Sequence, residues 1–312
     1  MRQVIWTGGR ALELRELPTP EPGPGEVRVR VHACGVCMTE VHYAEGLVPS
    51  STPPPYGFGH EWSGTVEAVG PGVAALATGT PVSGASRGAF AEQLVLPAER
   101  VLPLPPGVPL DAGIFVEPLA CCLASVEAAR PSEGTTALVT GAGPMGQMVA
   151  QLARLAGARV LVSEPDPRRR ALAIRLGAAA ALDPTVEALA EWIAAETGGV
   201  GVDAAWETAG RPGPLGDCLE AVREAGAVVM VGVNSSDSRL ALPLYRFHRR
   251  QLRLQGIYGA GSLDTFRAAV AALPRLELLP LISHRFGLAE IEQAFAAASG
   301  GLGAKVLVEP GR

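Results

Sequence analysis

Ala137-Leu138-Val139-Thr140-Gly141-Ala142-Gly143-Pro144-Met145-Gly146 is the stretch whose reading decides the fold. An apolar run of strand length ends on a glycine-rich turn, and an Ala/Leu-rich segment of helical composition follows. In that order the first glycine permits the tight turn, the second lets a pyrophosphate approach the backbone, and the third allows close packing of helix on strand. The helix N-terminus adds free N–H groups and a favourable dipole for an anion. The stretch therefore reads as a dinucleotide-binding loop with Gly141, Gly143, Pro144, Met145 and Gly146 as contacts. An ordinary glycine turn is the plainer alternative.

Downstream, apolar strand candidates recur at Arg159–Ser163, Ala179–Leu182, Val202–Trp206, Ala227–Val231 and Leu252–Tyr258, most of them alternating with Ala/Leu-rich helical stretches. Six strands with helical crossovers indicate an α/β fold with a doubly wound parallel sheet. Glu164 ends the second strand, at about the 20-residue separation where an acid binds the adenosine ribose 2′-hydroxyl. A carboxylate there would repel a 2′-phosphate and favours NAD over NADP. Arg168-Arg169-Arg170 could neutralise such a phosphate, or could be a solvated first helical turn.

Upstream, Val27–Ala33, Gly64–Val69 and Ala91–Leu96 read as short strands punctuated by Pro and Gly, suggesting a mostly β module. Pro53-Pro54-Pro55 reads as a stiff connector. After Gly259 come a helix (Leu263–Leu273), a strand (Ile282–Phe286), a helix (Leu288–Ala298) and a last strand (Lys305–Glu309). This tail is too short to fold alone and is expected to complete the N-terminal module.

Bulk properties narrow the field further. The 312 residues are 48% hydrophobic and 18% charged, the composition of a globular two-domain chain. A net charge of -5 gives no reason to expect nucleic acid or an anionic membrane as partner. Met1–Arg10 lacks the apolar core of a secretion signal, and no apolar run reaches the roughly 18 residues of a membrane span. The five scattered cysteines suit reduced thiols, so a cytoplasmic location is expected.

Cys37-Met38-Thr39-Glu40-Val41-His42 and Gly59-His60-Glu61 gather thiolate, imidazole and carboxylate groups close together. These are donors that zinc accepts, and a catalytic zinc keeps one position open for water or substrate. Singly, each has a plainer role: Cys37 as a small buried residue, His60 as a satisfied core or surface residue.

The ordered set Cys37-x-Thr39-Glu40, Gly59-His60-Glu61, Glu117-Pro118-Leu119, the loop 141–146 and Lys305-Val306-Leu307 resembles the medium-chain, zinc-dependent alcohol dehydrogenase superfamily along essentially the whole chain. Glu-Pro-Leu resembles the polyol, threonine and sugar dehydrogenase branch. The resemblance implies a GroES-like, mostly β catalytic domain (1–117 and 259–312) split around a Rossmann domain (118–258) with a six-stranded sheet. It implies an active site in the cleft between the two. Cys37 and His60 then stand as zinc ligands and Glu117 at the place of the third. Glu61 resembles a carboxylate that approaches the metal when ligands exchange, so whether Glu61 or Glu117 binds directly stays open. Glu40 resembles the group that orients the histidine ligand.

The resemblance further implies that one zinc lowers the pKa of an alcohol and a hydride passes to the nicotinamide. Thr39 and His42 relay the proton. Lys305 is placed against the pyrophosphate, Arg169 beside the adenosine ribose, and Val231 among the cofactor contacts. The substrate is a secondary alcohol, polyol or amino alcohol, or the matching ketone, and the assembly a homodimer or homotetramer. The family's four-cysteine lobe for a structural zinc is missing: only Ser83–Ala89 fills its interval, so one zinc per chain is expected. Met38 stands where some relatives carry a basic residue. The competing readings are a zinc-free NADPH-dependent quinone or enone reductase and a non-catalytic dinucleotide-binding protein.

Overall fold

Along Arg2–Gly8 and residues 26–33 alternate residues turn inward, the pattern that a sheet with one buried face demands. In the computed structural model, which describes residues 1–259, 261–300 and 304–312, the N-terminal strands are β1 (Arg2–Gly8), β2 (Ala11–Glu16), β3 (Glu26–Gly35), β4 (Tyr56–Gly57), β5 (Glu61–Val69), β6 (Pro81–Ala85), β7 (Gln93–Pro97) and β8 (Leu102–Pro103). Helix α1 (Met38–Glu45) lies between β3 and β4. On β3, Val27, Val29 and Val31 are buried and join a core with Phe58, Trp62, Phe90 and Phe295. Where the superfamily's cysteine lobe would stand, β6 reaches β7 through residues 86–92 alone.

Helices α2 (Leu110–Gly113) and α3 (Val116–Ala129) lead to β9 (Thr136–Thr140), α4 (Pro144–Leu155), β10 (Arg159–Ser163), α5 (Pro167–Arg175) and β11 (Ala180–Leu182). Strands β12 (Val202–Glu207), β13 (Val222–Met230) and β14 (Arg253–Gly256) complete a parallel sheet in the order β11-β10-β9-β12-β13-β14. This is the six-stranded Rossmann sheet that the alternation of apolar runs and helices implied, its order reversing between β9 and β12. Strand β13 starts at Val222, before the apolar run that begins at Ala227. Its register against β12 slips between Val202 and Ala204, and Ala225 adopts φ 58. A polar, bulged start of this kind has no apolar periodicity to announce it.

The chain then forms β15 (Ile282–Phe286) and β16 (Lys305–Val308), and the sheet order β15-β16-β3-β5-β6-β8 shows that this tail completes the N-terminal sheet. The two compact units are Met1–Ala120 with Ser262–Arg312, and Cys121–Gly261. In the first, register pairs Gly35 with Leu307, Gly35 with Glu61, and Glu61 with Ala85. Strand β3 runs antiparallel to both β5 and β16, so its end meets their beginnings. Cys37, His60, Glu61 and Lys305 are thereby brought to one edge of one sheet, although they lie far apart in sequence.

Candidate active site

Cys37 caps α1, its carbonyl accepting the N–H groups of Glu40 and Val41 at 3.1 and 3.3 Å. One helical turn places Thr39 and His42 three residues apart on the same face. Glu40 turns inward and is buried. Its Oε1 accepts the Gly59 N–H at 2.6 Å and lies 3.0 Å from His60 Nδ1. That contact orients the imidazole and leaves Nε2 for another partner. Gly59 adopts φ +92, and a Cβ there would lie 3.0 Å from Cys34 Sγ and closer still to the Phe90 backbone, so only glycine turns the chain into His60 here.

One ligand atom each from Cys37, His60 and Glu61 lies within 4.8 Å of the others. Soft sulfur, borderline nitrogen and carboxylate oxygen at this spacing fit zinc. Glu117 falls outside that grouping yet feels the charges of His60 and Glu61 in it. Burial, with Glu61 and Glu40 nearby, raises its carboxyl to about 7, against the pull of His60 and Lys305. Burial disfavours charge on His60, but Glu40 and Cys37 outweigh it and raise the imidazole well above its ordinary value. Both observations are what a cation-binding pocket produces.

Lys305 is one of the residues to which the resemblance gives a cofactor contact. Its ammonium, assigned there to the cofactor's pyrophosphate, is buried 2.5 Å from Glu61 Oε2 and 3.5 Å from the Val36 carbonyl oxygen. Burial works against its charge, while Glu61, Cys37 and Glu117 raise its pKa. A Cβ on Gly35 would overlap Glu61 and lie 3.0 Å from Lys305 Cδ, so the pair packs flat on that glycine. A lone lysine heading the otherwise apolar strand Lys305-Val306-Leu307-Val308 was the available signal. His42 is half-buried, its Nδ1 has no partner, and burial lowers its pKa although Glu45 opposes the shift. Cys34 is buried with its thiol raised well above the ordinary range by burial, as befits a packing residue.

In the second unit, Gly143 caps α4 with φ -67 and ψ -176, a backbone that any residue adopts. A Cβ added there would meet nothing within 4 Å. Neither conformation nor packing within the chain calls for glycine, whereas a pyrophosphate laid against the loop would. Pro144 and Met145 open α4. A Cβ on Gly146 would strike the Gly141 carbonyl, so that glycine serves helix–strand contact. Glu164 is buried, accepting Ala142 N–H at 2.6 Å and Asp166 N–H at 2.9 Å. Arg169 Nη1 stands 3.8 Å from it, while Arg168 and Arg170 pair with Asp166 and Asp183. Val231 is buried, its N–H bonded to the Glu207 carbonyl at 2.8 Å. Glu207 itself, an acid closing an apolar strand, was not among the residues singled out from sequence.

Residues 23–106 match the alcohol dehydrogenase GroES-like domain, and residues 144–275 match the zinc-binding dehydrogenase family. The chain is 31% identical to 2-dehydro-3-deoxy-L-galactonate 5-dehydrogenase of Pseudoalteromonas atlantica, over 97% of each chain. It is 32% identical to L-threonine 3-dehydrogenase of Pyrococcus horikoshii, over 96% of this chain and 95% of that one. A Sinorhizobium meliloti 1021 structure of a zinc-binding dehydrogenase type, solved with NADP, superposes with TM-score 0.92 at 30% identity over 99% of both chains. Donor set, sheet order, glycine loop and these matches agree: the chain belongs to the zinc-dependent medium-chain alcohol dehydrogenase superfamily and is an oxidoreductase interconverting alcohols and ketones with NAD(P).

Proposed function

We propose that the discontinuous unit is the catalytic domain and that it oxidises a secondary alcohol of a polyol, sugar acid or amino alcohol, or reduces the matching ketone. The observation that carries this reading is the grouping of Cys37, His60 and Glu61 within 4.8 Å, with Glu40 behind His60. Cys37, His60 and Glu61 are the proposed metal ligands, with Glu117 the further carboxylate of the site. Zinc held by these residues would supply Lewis acidity toward the substrate oxygen, and a bound nicotinamide would supply the hydride acceptor. The protein's own groups handle the proton. Thr39 and His42 share a face of α1, and His42, whose pKa burial lowers, can accept what Thr39 passes on. Glu117, at about 7, can also hold or release a proton near neutral pH.

Glu164 supports NAD as the cofactor. Arg169 beside it, and NADP in the related Sinorhizobium meliloti structure, favour NADP as a second reading. Strand β14 has all four residues exposed and among the described residues pairs only with β13, an open edge on which a homodimer or homotetramer could be built. No helix among the described residues is long and apolar enough to cross a membrane. The decisive experiment is a panel of polyols, sugar acids, amino alcohols and simple secondary alcohols, each with NAD and NADP, before and after verified zinc removal. Turnover with one of these classes, lost with the metal and in Cys37→Ser, is the expected result. Full activity without zinc would favour the quinone or enone reductase reading, and cofactor binding without turnover the non-catalytic one.

A further inference from the structure

Glu207 is wholly buried at the end of β12. A carboxyl group is costly in such a place unless it is hydrogen-bonded. Its Oε1 accepts the Gly210 N–H at 2.7 Å, and the N–H groups of Ala209 and Arg211 also turn toward it. Its main-chain carbonyl accepts Val231 N–H at 2.8 Å and Gly232 N–H at 2.9 Å. One residue therefore clasps both the turn after β12 and the segment after β13. The clasp has no slack: a Cβ on Gly232 would lie 2.9 Å from Glu207 Oε2 and 2.6 Å from Gly210 Cα.

The clasp continues into the glycine loop. Thr208 N–H donates to the Thr140 carbonyl at 2.9 Å, and Thr208 Oγ1 donates to the carbonyls of Gly141 and Thr140 at 2.8 and 3.0 Å. Strands β9 and β12 flank the point where strand order reverses, the place where sheets of this kind bind dinucleotides. The β9 to β11 half carries the glycine loop and Glu164. The β12 to β14 half, which takes the second mononucleotide in this architecture, presents the segments held by Glu207. The other Glu207 oxygen, Oε2, is buried without a partner, so the group is retained at a cost. Burial pushes this carboxyl's pKa up, and the three N–H groups pull it back.

We propose that Glu207 is a positioning residue for the nicotinamide half of the cofactor, holding the turns after β12 and β13 in the arrangement that this half requires. The proposal rests on reading the glycine loop as a dinucleotide site. Binding to the intact chain, measured calorimetrically without turnover, separates the two. AMP probes the first half alone and NADH probes both. Glu207→Ala leaves the turn's N–H groups without their acceptor and is expected to weaken NADH about tenfold while AMP changes less than about twofold. Glu207→Gln keeps one acceptor oxygen and should lie between; should the alanine variant not fold, the glutamine variant carries the test. Unchanged NADH affinity, or equal weakening of NADH and AMP, overturns the proposal. Wild-type protein that binds neither ligand overturns the dinucleotide reading and the proposal with it.

Discussion

Replacing Lys305 by Met keeps the buried stem and removes only the ammonium, which makes it the sharpest probe of the metal site's electrostatics. At the observed 2.5 Å and an effective dielectric near 20, the attraction to Glu61 is about 7 kcal/mol before any desolvation is counted. Desolvation of both ions offsets much of that, so the net value of the intact pair is small. Taking away one partner is different, because Glu61 then loses its hydrogen-bonded cation while staying buried beside Glu117; the usual cost is about 3 to 5 kcal/mol. Lys305 has a raised pKa, so its contribution is full below the ordinary lysine range and is lost only as pH climbs through the higher folded value. At pH 7 the whole effect should therefore be visible. The assay is urea unfolding of metal-free Lys305→Met against wild type, followed by zinc titration. The expected results are a loss of about 3 kcal/mol or more, substantial recovery in Lys305→Met/Glu61→Gln, and partial recovery with zinc, whose charge replaces the ammonium. A loss under about 1 kcal/mol, or a double variant no better than the single, refutes the argument.

Two further outcomes follow from the geometry. Gly143→Ala should raise the dinucleotide Kd about tenfold or more while shifting Tm by under about 2 °C, because the added methyl meets only ligand space; an unchanged Kd would show the loop does not seat a pyrophosphate. Zinc affinity should climb with pH through neutrality, since His60, raised well above its ordinary value, and Glu117, at about 7, must both lose protons first. The sign in the metal-free protein is the same for both groups: each binds its proton more tightly folded than unfolded, so stability falls as pH rises, for Glu117 between about 4.5 and about 7. Competition titration at several pH values measures the affinity, and a flat profile between about pH 6 and 8 would contradict the charge balance described.

What the chain reveals without a structure tracks how local the physics is. Glycine turns, apolar strands and their alternation with helices are encoded over about ten residues at a time, so the parallel sheet was legible from the run after Ala137. Cys37, Glu40, His60 and Glu61 lie within one short stretch, so a set of zinc-type donors is visible locally, while the role of each comes from the resemblance of the whole ordered set. Lys305 could not be placed from local sequence. Its burial depends on β16 pairing with β3 so that Leu307 opposes Gly35, and no local pattern carries a register between segments so far apart. Glu207 was hidden for the opposite reason: an acid at a strand end ordinarily reads as the start of a turn, and only the convergence of N–H groups on it marks it out.

The arrangement around Glu61 also bears on why this site tolerates so many carboxylates. Cys37 and one glutamate would balance a dication, and a second glutamate would then leave a net negative charge in a buried place. Lys305 supplies the missing positive charge from the first residue of β16, where register against β3 delivers it. The lysine thus contributes to the charge balance around Glu61. It follows that Glu61 need not be neutralised by the metal at all times. With the ammonium in place, Glu61 keeps a charged partner whether or not a metal is bound. Lys305→Met removes that partner, a change in the site's charge made through a residue that is itself no ligand.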